Sequence, residues 1–339
     1  MSVVSSLQIP HELAPPEALN WFQKSIFQDI PPYFMTHWKT GKRFFYAGDA
    51  LLAFEETKQY FVVAGEPLVA AGSEDMEILR AFEEFARRQK KQICGYYVSQ
   101  KWRWSSFVKK PLGTSIRIDL PEFDLSSPEA SEVRRALRTG QKLDYNVIPI
   151  YQRQRESDTK VSHLFKRWRK TKAPFYLKFF LSKPKALSPV SAYEEWFIVE
   201  KEGKALAFCS LLPYLRDGEL GFYMDHLVHS PGKDTQALSF LISFLIEILK
   251  EEGVRELNLG LNPFAKIEKR GWVERLFSWF YDFPFSYRPR GLHFFKRKFS
   301  GIEEKEYCFF QSNKSKWLGL AHMARVTFLN GIPYKGKSQ

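Results

Sequence analysis

Short alternating runs of apolar and polar residues are interleaved with amphipathic segments along the first half of the chain. Residues 43–67 hold two or three strand-like runs with a turn at Gly65-Glu66-Pro67. Residues 73–91 repeat apolar side chains at helical spacing. An amphipathic helix over 17–30 precedes these segments, and strand patterns follow at 92–100 and 114–123. The order predicts strands and helices in one mixed layer structure.

The second half repeats this order of elements. Its pattern predicts a basic helix at 161–172, a hairpin at 194–214, a strand at 218–228, an apolar helix at 235–252, a strand at 254–264, a helix at 269–282 and a strand at 291–299. The predicted class is therefore α+β (mixed α/β), with a mixed, largely antiparallel sheet flanked by helices occurring twice. The expected domains are residues 1–155 and 156–339, the second carrying the reactive site.

Positive charge is concentrated in two segments of the chain. The net charge of the 339 residues is +13, while residues 132–178 alone carry +9 and residues 290–339 carry +7. Such concentration indicates an anionic partner, either a nucleic acid backbone or an anionic membrane surface. A merely solubilising surface is the alternative.

The cysteines and apolar segments indicate the cellular setting. Cys94, Cys209 and Cys308 have no paired spacing, which favours buried reduced thiols over disulfides or a zinc site. The most apolar segment, 237–250, is shorter than the roughly 20 residues that cross a bilayer and contains Glu247. We expect a cytoplasmic protein without a transmembrane segment, associated at most peripherally with the inner face of the cytoplasmic membrane.

The stretch FPFSYRPRGLHFFKRKFS, residues 283–300, places aromatic residues beside a cluster of cations. Phe295, Lys296, Lys298 and Phe299 alternate as on a strand, so both lysines would share one face and both phenylalanines would anchor it. The lysines would meet the end of an RNA or a phosphate. A solvated strand face is the alternative, and Arg290 is a peripheral member of the same basic region.

Several runs resemble, in order, one known family. YFVVAGEPLVA (60–70) is similar to a family strand that ends in Gly-Asp-Pro, and LNLGLNPFA (257–265) looks like its Asn-Leu-Gly-Met-Ala-Pro-Leu. RGLHFFKRKF (290–299) looks like its Gly-Leu-x-x-Phe-Lys-x-Lys-Phe. These runs resemble the C-terminal catalytic domain of the bacterial phosphatidylglycerol lysyltransferases and alanyltransferases, the multiple peptide resistance factor. That resemblance implies two tandem acyltransferase folds of the N-acetyltransferase (GNAT) type.

The resemblance also implies a reaction. It implies an aminoacyltransferase that moves lysine or alanine from aminoacyl-tRNA, its co-substrate, to the hydroxyl of phosphatidylglycerol or a related lipid. Two alternatives stay open. One is a related enzyme acting on a peptidoglycan precursor or a protein N-terminus. The other is a tRNA- or membrane-binding module without chemistry, which Val228 favours because the family has an arginine there.

The candidate catalytic residues surround the predicted second-domain strands. Asp225 stands in the run Asp225-His226-Leu227-Val228, where the family has Asp-Leu-Met-Arg, and could orient a hydroxyl or hold an ammonium group. His229 could act as a base or replace part of the missing arginine charge. Both Glu268 and Glu274 are candidate catalytic residues, because the family that the chain resembles uses a glutamate in this neighbourhood. An N-cap or a structural ion pair is the alternative for Asp225.

Two basic patches are candidate tRNA and phosphate contacts, because cations beside an aromatic ring suit phosphates and unpaired bases. Solvated helix faces are the alternative. The patches comprise Arg134, Arg135 and Arg138, and then Arg167, Trp168, Arg169 and Lys170.

No bound cofactor and no metal are expected. Acetyl-CoA is unfavourable because the turn before the apolar helix, 229–234, has one glycine and ends in Asp234. A carboxylate at the start of that helix would cap it and repel a pyrophosphate. An aminoacyl-tRNA donor needs no such turn.

Overall fold

A computed structural model describes residues 11–151, 159–171, 190–232, 235–282, 289–311 and 318–323. Its main helices are α1 (Pro15–Lys24), α2 (Thr36–Thr40), α3 (Asp75–Arg88), α4 (Ser131–Lys142), α5 (Thr159–Lys170), α6 (Thr235–Glu251), α7 (Trp272–Asp282) and α8 (Pro289–Arg297). Its strands are β1 (His11–Leu13), β2 (Arg43–Ala47), β3 (Ala50–Glu56), β4 (Tyr60–Ala64), β5 (Leu68–Val69), β6 (Gln92–Ser99), β7 (Val108–Asp119), β8 (Asn146–Pro149), β9 (Glu195–Lys201), β10 (Lys204–Arg216), β11 (Glu219–His229), β12 (Glu256–Pro263) and β13 (Ile302–Phe310).

The described strands form one mixed sheet. Their order is β1-β2-β3-β4-β6-β13-β7-β12-β11-β10-β9-β8, and β5 pairs with β3. Two neighbouring pairs are parallel, β4 with β6 and β11 with β12, and the other paired neighbours are antiparallel. The predicted mixed α/β class, with a largely antiparallel sheet, is therefore confirmed.

The position of β13 joins the two halves of the sheet. This strand, near the end of the described chain, pairs with β6 on one side and with β7 on the other. Strand β7, from the first half of the sequence, pairs in turn with β12 from the second. The prediction of two separate sheets is therefore wrong, because each half of the chain contributes a strand to the junction. The boundary predicted at 155 and 156 lies outside the described residues.

Most predicted elements are present with small shifts at their ends. The apolar helix at 235–252 is α6, and the hairpin at 194–214 is the pair β9 and β10, turning at Glu202-Gly203. Strand β13 was not predicted, because its sequence, IEEKEYCFF, opens with four charged residues out of five. No helix among the described residues has the length and apolar character needed to cross a bilayer.

The segment predicted as a strand at 291–299 is instead helical. Helix α8 begins at Pro289, whose fixed φ suits the first turn of a helix. Its buried side chains, His293 and Lys296, are three residues apart and share one helical face. Lys296 and Lys298 therefore do not share a face, and the strand prediction for them is wrong. Over so short a run, the alternation of Phe and Lys fits both the two-residue period of a strand and the 3.6-residue period of a helix.

Helices pack on both faces of the sheet, α6 against one face of β10 and α5 against the other. Helices α4 and α6 pack against each other and bury the apolar face of the second half, with Leu241, Leu245 and Ile116 fully enclosed. Helix α3 covers part of the first half through Ile78 and Phe82. Helix α2 lies near β11, and this packing delivers its side chains to the candidate site.

Candidate active site

The parallel strands β11 and β12 separate soon after they meet. They pair only through Gly221–Tyr223 and Glu256–Asn258. Beyond this point the pairing of β12 with β7 shifts register between Asn258 and Leu261. The two strands therefore diverge, and the gap between them, here called the split, frees main-chain groups of both strands. An opening between parallel strands is a usual place for ligands in sheets of this kind.

Gly260 makes the close approach at the split possible. Its φ is +79°, and a Cβ there would lie 3.1 Å from Tyr223 Oη. Its N–H donates to Asn258 Oδ1 at 2.8 Å, which fixes the turn in β12. A residue with a side chain would be strained by its backbone and crowded by the tyrosine. The absence of a side chain at Gly260 therefore leaves room for the Tyr223 hydroxyl beside the split.

Lys296 reaches the same turn from α8. Its Nζ donates to the carbonyl oxygens of Gly260 and Leu261, each at 3.1 Å. The side chain is buried, and burial lowers the pKa of Lys296 from 10.5 to about 7. Near neutral pH a large fraction of this side chain is therefore an uncharged amine. Such an amine has two N–H groups for the two carbonyls and keeps one lone pair.

A bulge in β11 brings Asp225 and His226 to one place. Ser210 of β10 pairs with His226, while its neighbour Leu211 pairs with Met224, so Asp225 is an extra residue in β11. An extra residue of this kind locally re-aims side chains. As a result His226 Nδ1 lies 3.1 Å from Asp225 Oδ2 although the two residues are consecutive.

Lys39 connects two buried carboxylates. Its Nζ lies 2.5 Å from Glu194 Oε1 and 2.5 Å from Asp225 Oδ2, and all three side chains are almost fully enclosed. Burial opposes the charge on Lys39, but Asp225 and Glu194 outweigh it and raise the pKa of the ammonium group. Burial likewise opposes the charge on Asp225, yet Lys39 and His226 hold its pKa well below the usual range. The lysine and Asp225 are therefore an ion pair at neutral pH.

The position of Lys39 follows from the end of α2. The helix stops at Gly41, which has a left-handed φ of +70° and donates its N–H to the His37 carbonyl. Glu194 lies directly before β9. This ending turns the chain from α2 into β2, while α2 itself holds Lys39 against β11. The sequence gives no signal for the cluster, because Lys39 is 155 residues from Glu194 and 186 from Asp225.

Ser210, His226 and Asp225 contain the residue types of a hydrolytic triad but not its geometry. Ser210 Oγ lies 2.7 Å from His226 Nδ1, the same nitrogen that faces Asp225. In a triad the serine and the carboxylate contact opposite ring nitrogens. Because an ionised carboxylate only accepts, the proton of His226 is placed on Nδ1. Ser210 is therefore a structural partner and not an activated nucleophile.

Glu194, Asp225 and His226 also meet a distance criterion for a metal site, since one ligand atom of each lies within 4.8 Å of the others. The ammonium group of Lys39 already bridges the two carboxylates. A divalent cation would therefore have to displace a buried ion pair. The donor set fits the lysine better than a metal ion.

Phenol and carboxyl groups extend from the split towards the first half of the sheet. The ring centroids of Tyr33 and Tyr97 lie 4.6 Å apart, and burial raises the pKa of both phenols. Ser115 Oγ donates to Glu306 Oε1 at 2.6 Å, and burial raises the pKa of Glu306 to about 8. The Ser99 N–H donates to Glu66 at 2.6 Å, and burial raises the pKa of that carboxyl as well. Burial therefore disfavours the charged forms of these phenols and carboxyls.

The other predicted catalytic residues lie at different places. Lys298 is exposed just after α8, and His229 Nδ1 lies 2.9 Å from the Ser230 carbonyl at the end of β11. Glu268 is 58% exposed and pairs with Arg270 at 2.6 Å. Glu274 is buried in α7 and pairs with Lys110 at 2.9 Å. Lys296 contacts β12 at the split and Asp225 lies on β11, the strand on its other side. The catalytic roles predicted for all six residues stay predictions.

The basic patches are partly used inside the fold. Arg134 donates to the main-chain oxygens of Leu125 and Ser127, so it fixes the loop before α4. Arg135 pairs with Glu132 at 2.7 Å and is 66% exposed, and Arg138 is exposed on the same helix.

The second basic patch and Arg290 are also partly used inside the fold. Trp168 is buried against Phe165, so its predicted stacking on a base is wrong, because the ring belongs to a core cluster. Arg167 donates to Ser230 Oγ at 3.2 Å, Arg169 is half-buried and Lys170 is exposed. Arg290 pairs with Asp282 at 3.5 Å and lies over Phe294. Asp234, used in the argument against acetyl-CoA, lies outside the described residues.

Comparison with known proteins identifies the class. Residues 33–310 match the family described as phosphatidylglycerol lysyltransferase, C-terminal. The chain belongs to this family. The phosphatidylglycerol lysyltransferases of Staphylococcus epidermidis and Staphylococcus aureus are each 24% identical to it, over 306 and 307 residues, or 83% of the chain. The chain spans 35% of the length of these relatives.

Solved structures share the fold. The C-terminal domain of a proposed lysylphosphatidylglycerol synthetase from Agrobacterium fabrum superposes with a TM-score of 0.75 at 16% identity, covering 94% of this chain and 99% of that one. The L-PGS structure from Bacillus licheniformis gives 0.74 at 19% identity, covering 92% and 97%. A Bacteroides thetaiotaomicron protein of unknown function gives 0.60 at 13% identity, covering 89% and 98%.

Proposed function

We propose that the chain transfers an aminoacyl group from aminoacyl-tRNA to the glycerol hydroxyl of phosphatidylglycerol. Family membership over residues 33–310 supports a lipid aminoacyltransferase. The observation that carries the proposal within this chain is Lys296, a buried lysine with a pKa of about 7 that donates to the Gly260 and Leu261 carbonyls at the split. Lysine or alanine is the proposed amino acid.

The chemistry asked of the protein is alignment and proton transfer, because the aminoacyl ester is already activated. The lipid hydroxyl oxygen attacks the ester carbonyl, and its proton passes to the Lys296 amine. The new ester bond forms as the carbonyl carbon releases the ribose oxygen of the tRNA, which takes the proton back from Lys296. A lysine tuned to a pKa near 7 suits both transfers and typically contributes roughly 10²- to 10⁴-fold in rate.

The Lys39–Asp225 cluster forms the other wall of the split in this proposal. Gly260 lies close to Tyr223 Oη and to the Met224 carbonyl, and Asp225 follows Met224 directly. The proposed role of Asp225 is to position the substrates, because its carboxylate is already bonded to Lys39 and His226. A fixed wall keeps the two substrates in register, and alignment of this kind supplies much of the rate in acyl transfer.

The test is transfer of label from a mixed pool of radiolabelled aminoacyl-tRNAs into phosphatidylglycerol vesicles. We expect label in the lipid, with a rate that rises with pH through an apparent pKa near 7. Lys296→Met should lose roughly 10²-fold or more and the pH dependence. Lys305→Met, which alters a half-exposed lysine of β13, is the matched control and should retain the wild-type rate.

Two results would contradict parts of the proposal. Transfer by Lys296→Met at the wild-type rate would remove Lys296 from the chemistry. Absence of label in lipid from every aminoacyl-tRNA, with folded protein, would exclude this acceptor for the chain. Peptidoglycan precursors and protein N-termini would then be tested as acceptors with the same donors.

A further inference from the structure

We propose that a pocket between α4, α6 and the segment after α8 binds the phosphate–ribose backbone of an RNA strand. This inference rests on the proposed function, since the RNA would be the aminoacyl-tRNA donor. The pocket has a volume of roughly 300 Å³, which is the scale of a single small ligand unit. Its polar lining residues are Glu132, Arg135, Thr139, Gln236, Ser239 and Lys298.

Two cations from distant parts of the sequence meet in this pocket. Arg135 comes from α4 and Lys298 from the turn after α8. Arg135 is 66% exposed, and Lys298 is exposed as well. A guanidinium and an ammonium group facing one cavity suit phosphate oxygens, the first in two-pronged geometry and the second as a point charge. Lys298, which was predicted to share a face with Lys296, thus acquires a different role.

Glu132 regulates the strength of this positive site. It pairs with Arg135 at 2.7 Å, three residues away on α4. The pocket therefore carries two positive charges and one negative charge, a net of one positive charge. An incoming phosphate must compete with Glu132 for Arg135. Removing the charge of Glu132 should consequently strengthen phosphate binding.

The remaining polar groups favour RNA over a membrane surface. Thr139 and Ser239 carry hydroxyls and Gln236 carries an amide, groups that can bond to ribose hydroxyls and phosphate oxygens. The apolar lining is Ala136 and the buried Phe299, so no large exposed apolar side chain enters the pocket. Insertion into a bilayer surface requires such side chains.

The pocket adjoins the split. Lys298 is two residues from Lys296, so their Cα atoms are at most about 7 Å apart. Lys296 holds the Gly260 and Leu261 carbonyls at the split. RNA bound at Arg135 and Lys298 would therefore lie close to the chain segment that carries Lys296.

The test measures binding of a fluorescent RNA minihelix that has the tRNA acceptor stem and a single-stranded CCA end. Lys298→Ala and Arg135→Ala in the full chain should each weaken binding roughly tenfold. Each should also lower the slope of log affinity against log salt by about one. Glu132→Gln should bind more tightly than the wild type. Weaker RNA binding by the first two variants together with tighter binding by Glu132→Gln would not result from a general loss of structure.

Arg87→Ala is the matched control, because Arg87 pairs with Glu84 at the same i,i+3 spacing on α3 and lines another surface pocket. It should leave RNA affinity within twofold of the wild type. Equal weakening by Arg87→Ala, or unchanged affinity in the Arg135 and Lys298 variants, would overturn the pocket assignment while leaving the donor proposal intact. Absence of RNA binding by the wild type would overturn the donor as well. Weakened binding to phosphatidylglycerol vesicles, with RNA affinity unchanged, would assign the pocket to lipid phosphate instead.

Discussion

Lys39 and Asp225 are 186 positions apart in the sequence, and their side chains form a 2.5 Å ion pair that is almost wholly shielded from solvent. Helix α2 supplies the lysine and the bulge in β11 supplies the carboxylate. Glu194 completes the contact at the same distance. The pair therefore ties the first half of the chain to the strand that borders the split.

Loss of the lysine should be costly. Lys39→Met leaves Glu194 and Asp225 buried without their shared cation, and breaking a buried pair in this way costs about 3–5 kcal/mol of unfolding free energy. Urea denaturation followed by circular dichroism would measure it. Lys160→Met is the matched control, since Lys160 forms a similar pair with Glu200 but is 48% exposed, and should cost at most about 1 kcal/mol. Equal costs would show that burial of the Lys39 pair contributes nothing.

Lys296 should give the protein a specific pH dependence of stability. Burial lowers its folded pKa to about 7 from 10.5, so between these values the unfolded chain binds more protons than the folded one. Stability therefore rises with pH across this window as the penalty for burying the charge is relieved. From pH 7 to pH 10 the wild type should gain unfolding free energy relative to Lys296→Met, which lacks the titrating amine. A constant difference would contradict the lowered pKa.

Glu306 should act in the opposite direction. Burial raises its folded pKa to about 8 from 4.5, so between these values the folded chain holds the extra proton. Its stabilising contribution is complete below pH 4.5 and is lost as the pH rises through 8. Glu306→Gln, which keeps an acceptor for Ser115, should become more stable relative to the wild type as the pH rises from 5 to 8. Parallel stability curves for the two proteins would rule this out.

Gly260 offers a test of the split itself. Gly260→Ala should cost roughly 1–2 kcal/mol from the left-handed backbone alone and more from the 3.1 Å approach to Tyr223 Oη. Gly203→Ala isolates the first effect, because Gly203 has a φ of +73° and a Cβ added there would meet no atom of the described residues within 4 Å. Thermal unfolding of both variants separates strain from crowding. If Gly260→Ala costs no more than Gly203→Ala, the tyrosine does not constrain the split.

Local pattern accounts for much of the fold. The apolar helix α6 and the hairpin of β9 and β10 have strong periodicity and clear turn residues, and both lie where the sequence predicts them. Helix α8 is misassigned because a nine-residue segment with alternating Phe and Lys satisfies two periods at once. Its Pro289 start is the signal that could have favoured a helix.

The site was less accessible from sequence, for a physical reason. Asp225 and Lys296 were found through a resemblance to family motifs, whereas Lys39 and Glu194 have neither motif nor periodicity. Their roles arise from a bulge and a helix end that bring together segments more than 150 residues apart. Burial, which sets the pKa of Lys296 and Glu306, is likewise a property of the packed fold.

The insertion of β13 between β6 and β7 has a consequence for synthesis of the protein. Until Ile302–Phe310 leave the ribosome, β6 and β7 each present an unpaired edge, and the central ladder of the sheet is incomplete. The first half therefore cannot finish folding co-translationally, however early its local helices form. A nascent chain stalled before residue 302 should be protease-sensitive throughout its first half, although that half contains most of its own core.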